Sequence, residues 1–277
     1  MRYATVIVDE ARRLAVAQPE GDWRLTAEDV TLLDVIGGAD VTATGDVLRQ
    51  PEFALPYRPP TIFGIGLNFH DTVREMGWAI PEKPYLFPKL SSSACGPFDD
   101  VIVDENLTTR ADWEAELAVV IGSRIRDLEP ASALGAVFGY IAANDISARD
   151  LQADDGQWVR GKGLDTFCPL GPAVVTADEI RDPQNVGIRT WLDGELVQDG
   201  NTSDMIFSVA ELISYCSHHF TLHPGDIILT GTPTGCGDFR TPPIALRPGN
   251  VVEIEVEGIG RQLNRVTAPD RSAAASG

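Results

Sequence analysis

The run Asp112-Trp113-Glu114-Ala115-Glu116-Leu117-Ala118-Val119-Val120-Ile121-Gly122 reads as a β-strand, with small and branched apolar residues, few breakers and a closing glycine. Side chains two apart on a strand point the same way. Glu114 and Glu116 therefore share a face, which Ala118 and Val120 continue. A strand entering a core should not begin with two like charges side by side. Two carboxylates in partly buried surroundings repel, so one is neutralised or both share a cation. A hard divalent ion with oxygen ligands, such as Mg²⁺, meets that need. Taken alone, Glu-x-Glu also fits the solvent face of an antiparallel edge strand, and the flanking sequence has to decide.

Downstream, Phe138–Asn144 is another apolar run that ends at Asp145. If a helical turn starts there, Asp145, Arg149 and Gln152 lie on one face. A surface salt bridge explains that trio equally well. Lys162 follows between Gly161 and Gly163. Glycines on both sides let backbone and lysine approach a ligand closely, although a flexible surface loop has the same composition.

The remaining chain is rich in short strands and turns. Thr61–Gly66, Val101–Val103, Gly187–Leu192, Glu195–Val197, Ile227–Thr230 and Val251–Val256 read as strands, and Asp193-Gly194 is a type I′ hairpin signal. Ser208 and Glu211 form a capping box. It opens a helix with apolar Val209, Leu212, Ile213, Cys216 and Phe220 at helical spacing. Residues 1–57 read as a small α/β N-terminal domain. Its strands are Tyr3–Val8 and Leu14–Gln18, and its helix Ala27–Ile36 is capped by Thr26 with Asp29 and stopped by Gly37-Gly38. The proline-rich segment 55–60 reads as a linker, residues 58–268 as a β-rich catalytic domain, and 269–277 as a disordered tail. The fold class expected is α+β and β-rich, not doubly wound.

With 41 acidic against 22 basic residues, the formal charge of −19 repels nucleic acid and anionic membranes, so neither is an expected partner. The apolar stretches are short and the N-terminus lacks a signal-peptide layout, so the expected location is cytoplasmic. Cys95, Cys168, Cys216 and Cys236 are widely spaced, which argues against a zinc site or a disulfide framework. His218, His219 and His223 are explained by a helix C-terminus or plain exposure.

With these residues assembled, the chain resembles the fumarylacetoacetate hydrolase family. The matching motifs are Gly66-Leu67-Asn68-Phe69, Lys89 with Ser91-Ser92, Trp113-Glu114-Ala115-Glu116-Leu117, Asn144-Asp145-Ile146-Ser147-Ala148-Arg149-Asp150, Lys162-Gly163-Leu164-Asp165-Thr166 and Gly231-Thr232-Pro233-Thr234-Gly235. They stand in the family's order across roughly residues 60–260. The resemblance implies a mixed β-sandwich roll, a homodimer, and Mg²⁺ or Mn²⁺ held by Glu114, Glu116 and Asp145. It implies small anionic 2-oxo acid or acylpyruvate substrates that react through a metal-stabilised enolate. Lys162 matches a catalytic residue, and Arg149, Gln152, Lys89 and Thr232 match substrate-binding ones.

One departure bears on the reaction. Family hydrolases commonly carry a histidine four residues after the asparagine of Gly-Leu-Asn, paired with a glutamate three further on, to activate water. Those positions here are Thr72 and Glu75, and the nearest histidine is His70. On a helix, two residues is about 200° of rotation, so His70 faces away from the expected place. His70 and Glu75 remain candidates for catalysis through a rearranged loop or a metal-activated water. C–C bond hydrolysis is the leading expectation. The alternatives are tautomerisation, isomerisation or decarboxylation of a 2-oxo or 2-hydroxydienoic acid, or non-catalytic binding of metal and oxoacid.

Overall fold

A computed structural model describes residues 1–271 apart from 20, 27–29 and 44. The strands that place the site are, in chain order, β1 (Arg2–Val8), β2 (Ala11–Ala17), β3 (Ile62–Gly66), β4 (Tyr85–Lys89), β5 (Ala115–Ile121), β6 (Val137–Asn144), β7 (Val174–Thr176), β8 (Gly187–Leu192), β9 (Glu195–Asn201), β10 (Ile227–Leu229), β11 (Val251–Val256) and β12 (Gly260–Thr267). The helices are α1 (Leu32–Ile36), α2 (His70–Met76), α3 (Arg149–Asp154), α4 (Val159–Lys162) and α5 (Val209–His219). An 11-stranded sheet contains the path β2-β1-β7-β6-β5-β10-β3-β4. A five-stranded sheet runs β9-β8-β11-β12 and ends on Val101–Ile102. Both are mixed: β10 pairs parallel with β3, and β12 parallel with Val101–Ile102, among antiparallel neighbours.

β5 is the centre of the molecule. Ala115, Leu117, Val119 and Ile121 pack with Ile188, Ile254, Leu212 and Cys216, between the five-stranded sheet and α5. Ala118 and Val120 pack on the opposite side with Tyr3, Leu14, Ile36 and Leu229. A strand buried on both faces has to be apolar at nearly every position, which is why the run does not alternate. Each fully buried large side chain there contributes about 1.5–3 kcal/mol. This excludes the solvent-edge reading of Glu-x-Glu.

Several expectations need correcting. The strand starts at Ala115, not Asp112; Ala111–Asp112 forms its own short ladder with Ser147–Ala148. The intervening step is irregular because Asn144 Oδ1 accepts the Glu114 N–H at 3.0 Å and the Ala115 N–H goes to Gln198 Oε1 at 3.1 Å. Asp145 does not open a helix: the chain enters the Ser147–Ala148 ladder first, and α3 begins at Arg149. α1 begins at Leu32, capped by Thr31 and Asp34 in a reciprocal box. The expected cap Thr26 instead donates to Leu14 O at 3.1 Å, while 27–29 lie outside the described residues. Leu55 and Tyr57 of the expected linker are buried in the core, and β1 pairs with β7, so the N-terminal strands extend the central sheet. Of the expected tail, 272–277 lie outside the described residues.

The hairpin and helix signals match what forms. Asp193 and Gly194 both have positive φ, 52° and 84°, as a type I′ turn requires. Ser208 and Glu211 cap α5 as a box. Among the described residues no helix is long and apolar enough to cross a membrane.

Candidate active site

Antiparallel pairing of β5 with β6 sets Ala115 opposite Asn144 and Glu116 opposite Ala143. The start of β5 therefore meets the end of β6, and Glu114 comes beside Asp145. One carboxylate oxygen from each of Glu114, Glu116 and Asp145 lies within 4.8 Å of the others, and all three residues are buried. Backbone bonds hold the arrangement: Asp145 N–H donates to Glu114 O at 2.9 Å, and Gly231 N–H donates to Glu116 Oε2 at 2.7 Å.

Cations surround the triad. Lys162 Nζ donates to Glu114 Oε2 and Asp145 Oδ2, each at 2.7 Å. Lys89 Nζ lies 2.7 Å from Asp145 Oδ1 and donates to Ile146 O and Lys162 O. Arg149 bonds Glu114 Oε1 through Nη2 and Asp112 Oδ1 through Nε, the latter at 2.8 Å. Four buried carboxylates (Asp112, Glu114, Glu116, Asp145) thus face three buried cations (Lys89, Arg149, Lys162). Glu116 is the unmatched charge. Burial, and then the charges of Asp145 and Glu114, hold its carboxyl well above the usual carboxylate range. Burial also works against ionised Asp145, but Lys162 and Lys89 overcome it and keep that carboxyl below its usual range. Burial opposes the Lys162 charge too, yet Asp145 and Glu114 push its pKa up to about 12.

These residues fit a divalent ion. The donors are carboxylate oxygens without sulfur or imidazole, as hard cations require, and the cluster carries one surplus negative charge. The triad can hold such an ion.

A cavity of about 250 Å³ opens onto Glu114 and Lys162. Arg149, Gln152 and Thr232, expected to contact substrate, line it. Arg149 Nη1 lies 3.3 Å from Gln152 Oε1. Gly161 lets α3 and α4 come together: a Cβ there would sit 2.8 Å from Gln152 N and 2.9 Å from Ala148 O. Lys162 therefore sits on a tightly packed turn and not on a mobile loop. Trp158 forms an apolar wall against Tyr85, with ring centroids 4.5 Å apart. Gly66 leaves space for that indole, because a Cβ would lie 2.8 Å from it.

Three expected residues lie elsewhere. Lys89 sits behind the triad, its side chain 0% exposed and its ammonium taken up by Asp145 and two carbonyls. His70 is the first residue of α2 and does not line the cavity; Thr72 does, its hydroxyl donating to Thr232 O at 2.9 Å. Glu75 is exposed, accepts the Gly235 N–H at 3.2 Å and does not line the cavity.

Sequence reasoning passed over Gln198. This buried amide donates to Thr232 Oγ1 at 2.9 Å and Pro233 O at 2.8 Å, and accepts from Ala115 N–H and Thr190 Oγ1. It ties the five-stranded sheet to the site, and a lone glutamine in a strand carries no signal of that. Asp112 belongs to the run that enters the central strand, but its partner Arg149 is distant in sequence.

The fold and site together define a mixed-sheet β protein with a buried acidic triad, a lysine bridging two of its carboxylates and an adjacent small cavity. The chain belongs to the fumarylacetoacetate hydrolase family: residues 61–267 match the model described as Fumarylacetoacetate (FAA) hydrolase C-terminal. It is 45% identical over 219 residues to the mitochondrial oxaloacetate tautomerase Fahd2a of Rattus norvegicus, covering 78% of this chain and 70% of that one. It is 44% identical over 233 residues to 2,4-didehydro-3-deoxy-L-rhamnonate hydrolase of a Sphingomonas species, covering 83% and 81%. Among solved structures, a fumarylacetoacetate hydrolase from Exiguobacterium antarcticum superposes with a TM-score of 0.90 at 39% identity, covering 97% of this chain and all of that one.

Proposed function

We propose that this protein is a divalent-metal-dependent enzyme that interconverts the keto and enol forms of a short 2-oxo acid, without adding water to a C–C bond. The observation that carries this reading is the wall around Thr72. Among the described residues lining the cavity there is no histidine, and the Thr72 hydroxyl is committed to a carbonyl. Hydrolysis needs a base for the attacking water, a contribution of about 10²–10⁴-fold. Tautomerisation also needs an acceptor for the C3 proton and stabilisation of the enolate charge, but no activated water. The 45% identity to an oxaloacetate tautomerase supports the same reading.

Glu114, Glu116 and Asp145 would hold Mg²⁺ or Mn²⁺. When bound, the ion supplies Lewis-acid stabilisation of negative charge on the substrate oxygens. The chain supplies the rest. Lys162 stays protonated and presents a fixed positive charge to the oxygen where an enolate develops. Arg149 and Gln152 line the cavity where a substrate carboxylate would bind. Ile65, Trp158 and Phe239 exclude water from that side, which strengthens these interactions. A homodimer in solution is part of the proposal.

C–C bond hydrolysis is the second reading, favoured by the 44% identity to a hydrolase. The test is one panel with Mg²⁺: deuterium exchange at C3 of oxaloacetate in heavy water, and hydrolysis of an acylpyruvate. Exchange well above background with weak hydrolysis is expected, with Thr72→His raising hydrolysis. Strong hydrolysis that survives Glu75→Gln and His70→Ala would transfer the assignment to a hydrolase.

A further inference from the structure

This inference rests on the 2-oxo acid reading and narrows it. Three cations stand on the cavity wall: Arg110, Arg149 and Lys162. Arg149 and Lys162 are buried, with charges taken up by Asp112, Glu114 and Asp145. Arg110 differs. Its side chain is 49% exposed, so it stands at the rim, and Asp238 grips it fork to fork, Nε to Oδ1 at 2.9 Å and Nη2 to Oδ2 at 2.7 Å.

The rim is registered to the floor. Arg149 N–H donates to Arg110 O at 2.9 Å, beside the Ala111–Ala148 ladder pair. Asp238 N–H donates to Asp112 Oδ2 at 2.9 Å, and Asp112 Oδ1 takes Arg149 Nε. Arg110 is thereby set at a fixed distance from the triad. The loop carrying Asp238 does not need the side-chain pair to hold its place. Asp238 N–H, Arg240 Nη2 to Val197 O, Trp113 Nε1 to Gly235 O and Ile244 N–H to Gly237 O already anchor it.

Asp238, its side chain 12% exposed, occupies Nε and Nη2, and among the described residues Nη1 of the half-exposed guanidinium has no partner, so Arg110 can take a second carboxylate on that side while Asp238 keeps its hold. Its fork matches any carboxylate bidentately. A 2-oxo acid with its oxo and carboxylate groups at the triad extends its far end toward this rim. There Trp78 and Phe239 carry no charge, and Arg110 is the cation within the wall that a distal negative charge can meet. We propose that Arg110 is a specificity-determining residue that takes the distal carboxylate of a 2-oxo dicarboxylic acid, with Asp238 as its counter-ion.

The test compares oxaloacetate with 2-oxobutanoate, which replaces the terminal carboxylate by a methyl group, using C3 proton exchange with Mg²⁺ present. Arg110→Gln is expected to raise KM for oxaloacetate about tenfold or more, the scale for a lost charge-assisted contact. KM for 2-oxobutanoate should move less than about twofold, with kcat kept for both. Asp238→Asn retains the backbone bond to Asp112, and KM for oxaloacetate should hold or fall. Equal changes for both compounds in Arg110→Gln, or no change, overturn the proposal. A rise for both in Asp238→Asn does so too, since that marks a structural clamp. If neither compound exchanges protons, the tautomerase reading fails separately, and the same ratio is read from binding. Quenching of Trp78 and Trp158 fluorescence by each compound must then show selectivity for oxaloacetate that Arg110→Gln removes, and an unchanged ratio overturns it.

Discussion

Lys162 and Glu116 show how burial makes single groups do chemistry. The lysine is held at 2.7 Å by two carboxylates and remains charged in a dry setting, where a fixed charge acts strongly on a reacting oxygen. Lys162→Met should lower kcat/KM by about 10²-fold or more, roughly 2.7 kcal/mol, with far-ultraviolet circular dichroism unchanged. A loss under about threefold would reduce the lysine to a structural ion pair. Glu116 has the opposite problem, with no cation of its own. Its carboxyl is raised on folding, chiefly by burial, so the folded state binds that proton more tightly than the unfolded chain. The resulting stability is present at low pH and lost as pH rises through the folded value. Metal-free protein should therefore melt at a lower temperature at about pH 8 than at about pH 6, and Glu116→Gln should shrink that difference. Saturating Mg²⁺ should raise Tm and flatten the dependence, because the ion binds the folded state and favours ionised Glu116. A metal-free Tm with the same pH dependence in wild type and Glu116→Gln would contradict this account.

At the scale of elements, the site depends on how closely α3 and α4 approach. Gly161 permits that contact, and Arg149, Gln152 and Lys162 ride on the two short helices. Gly161→Ala should force them apart at an overpacking cost of about 1–3 kcal/mol. Activity should fall with it, since Lys162 would leave its place between Glu114 and Asp145. Gly156, whose added Cβ would meet nothing within 4 Å, is the control: Gly156→Ala should leave kcat/KM nearly unchanged. Equal behaviour of the two variants in thermal melts and rates would show that the contact is not limiting. Gln198 does similar work between sheets, giving the Ala115 N–H a partner where the ladder of β5 begins.

For the whole molecule, net charge and local charge act against each other. A formal charge of −19 repels an anionic substrate at long range, while Arg110, Arg149 and Lys162 attract it inside the cavity. Raising salt from about 0.01 to 0.15 M shortens the Debye length from about 30 Å to about 8 Å, which removes the long-range term and leaves the buried contacts largely intact. kcat/KM for a 2-oxo acid should therefore rise over that range when measured at constant free Mg²⁺. A steady fall would mean that the rim and floor cations govern encounter from outside the cavity.

The sequence by itself determined the central strand, the capped helix at Ser208, the hairpin at Asp193-Gly194 and the order of family motifs. Each of these rests on local periodicity, turn chemistry or short spacing. Glu114 and Glu116 were visible as a pair because two residues suffice to set a strand face. The position of Asp145 beside them came from the β5–β6 register, a pairing between segments that a local reading does not contain. Its proposed helical turn failed for the same reason: the ladder between Ala111–Asp112 and Ser147–Ala148 claimed the backbone first. Lys89 and Glu75 read alike in the sequence, as charged residues near a motif. Only packing sent one beneath the carboxylates and the other to the surface. Gln198, Asp112 and the Arg110–Asp238 pair acquire their roles across long stretches of chain, where hydrogen-bond partners exist only after the two sheets have closed on one another.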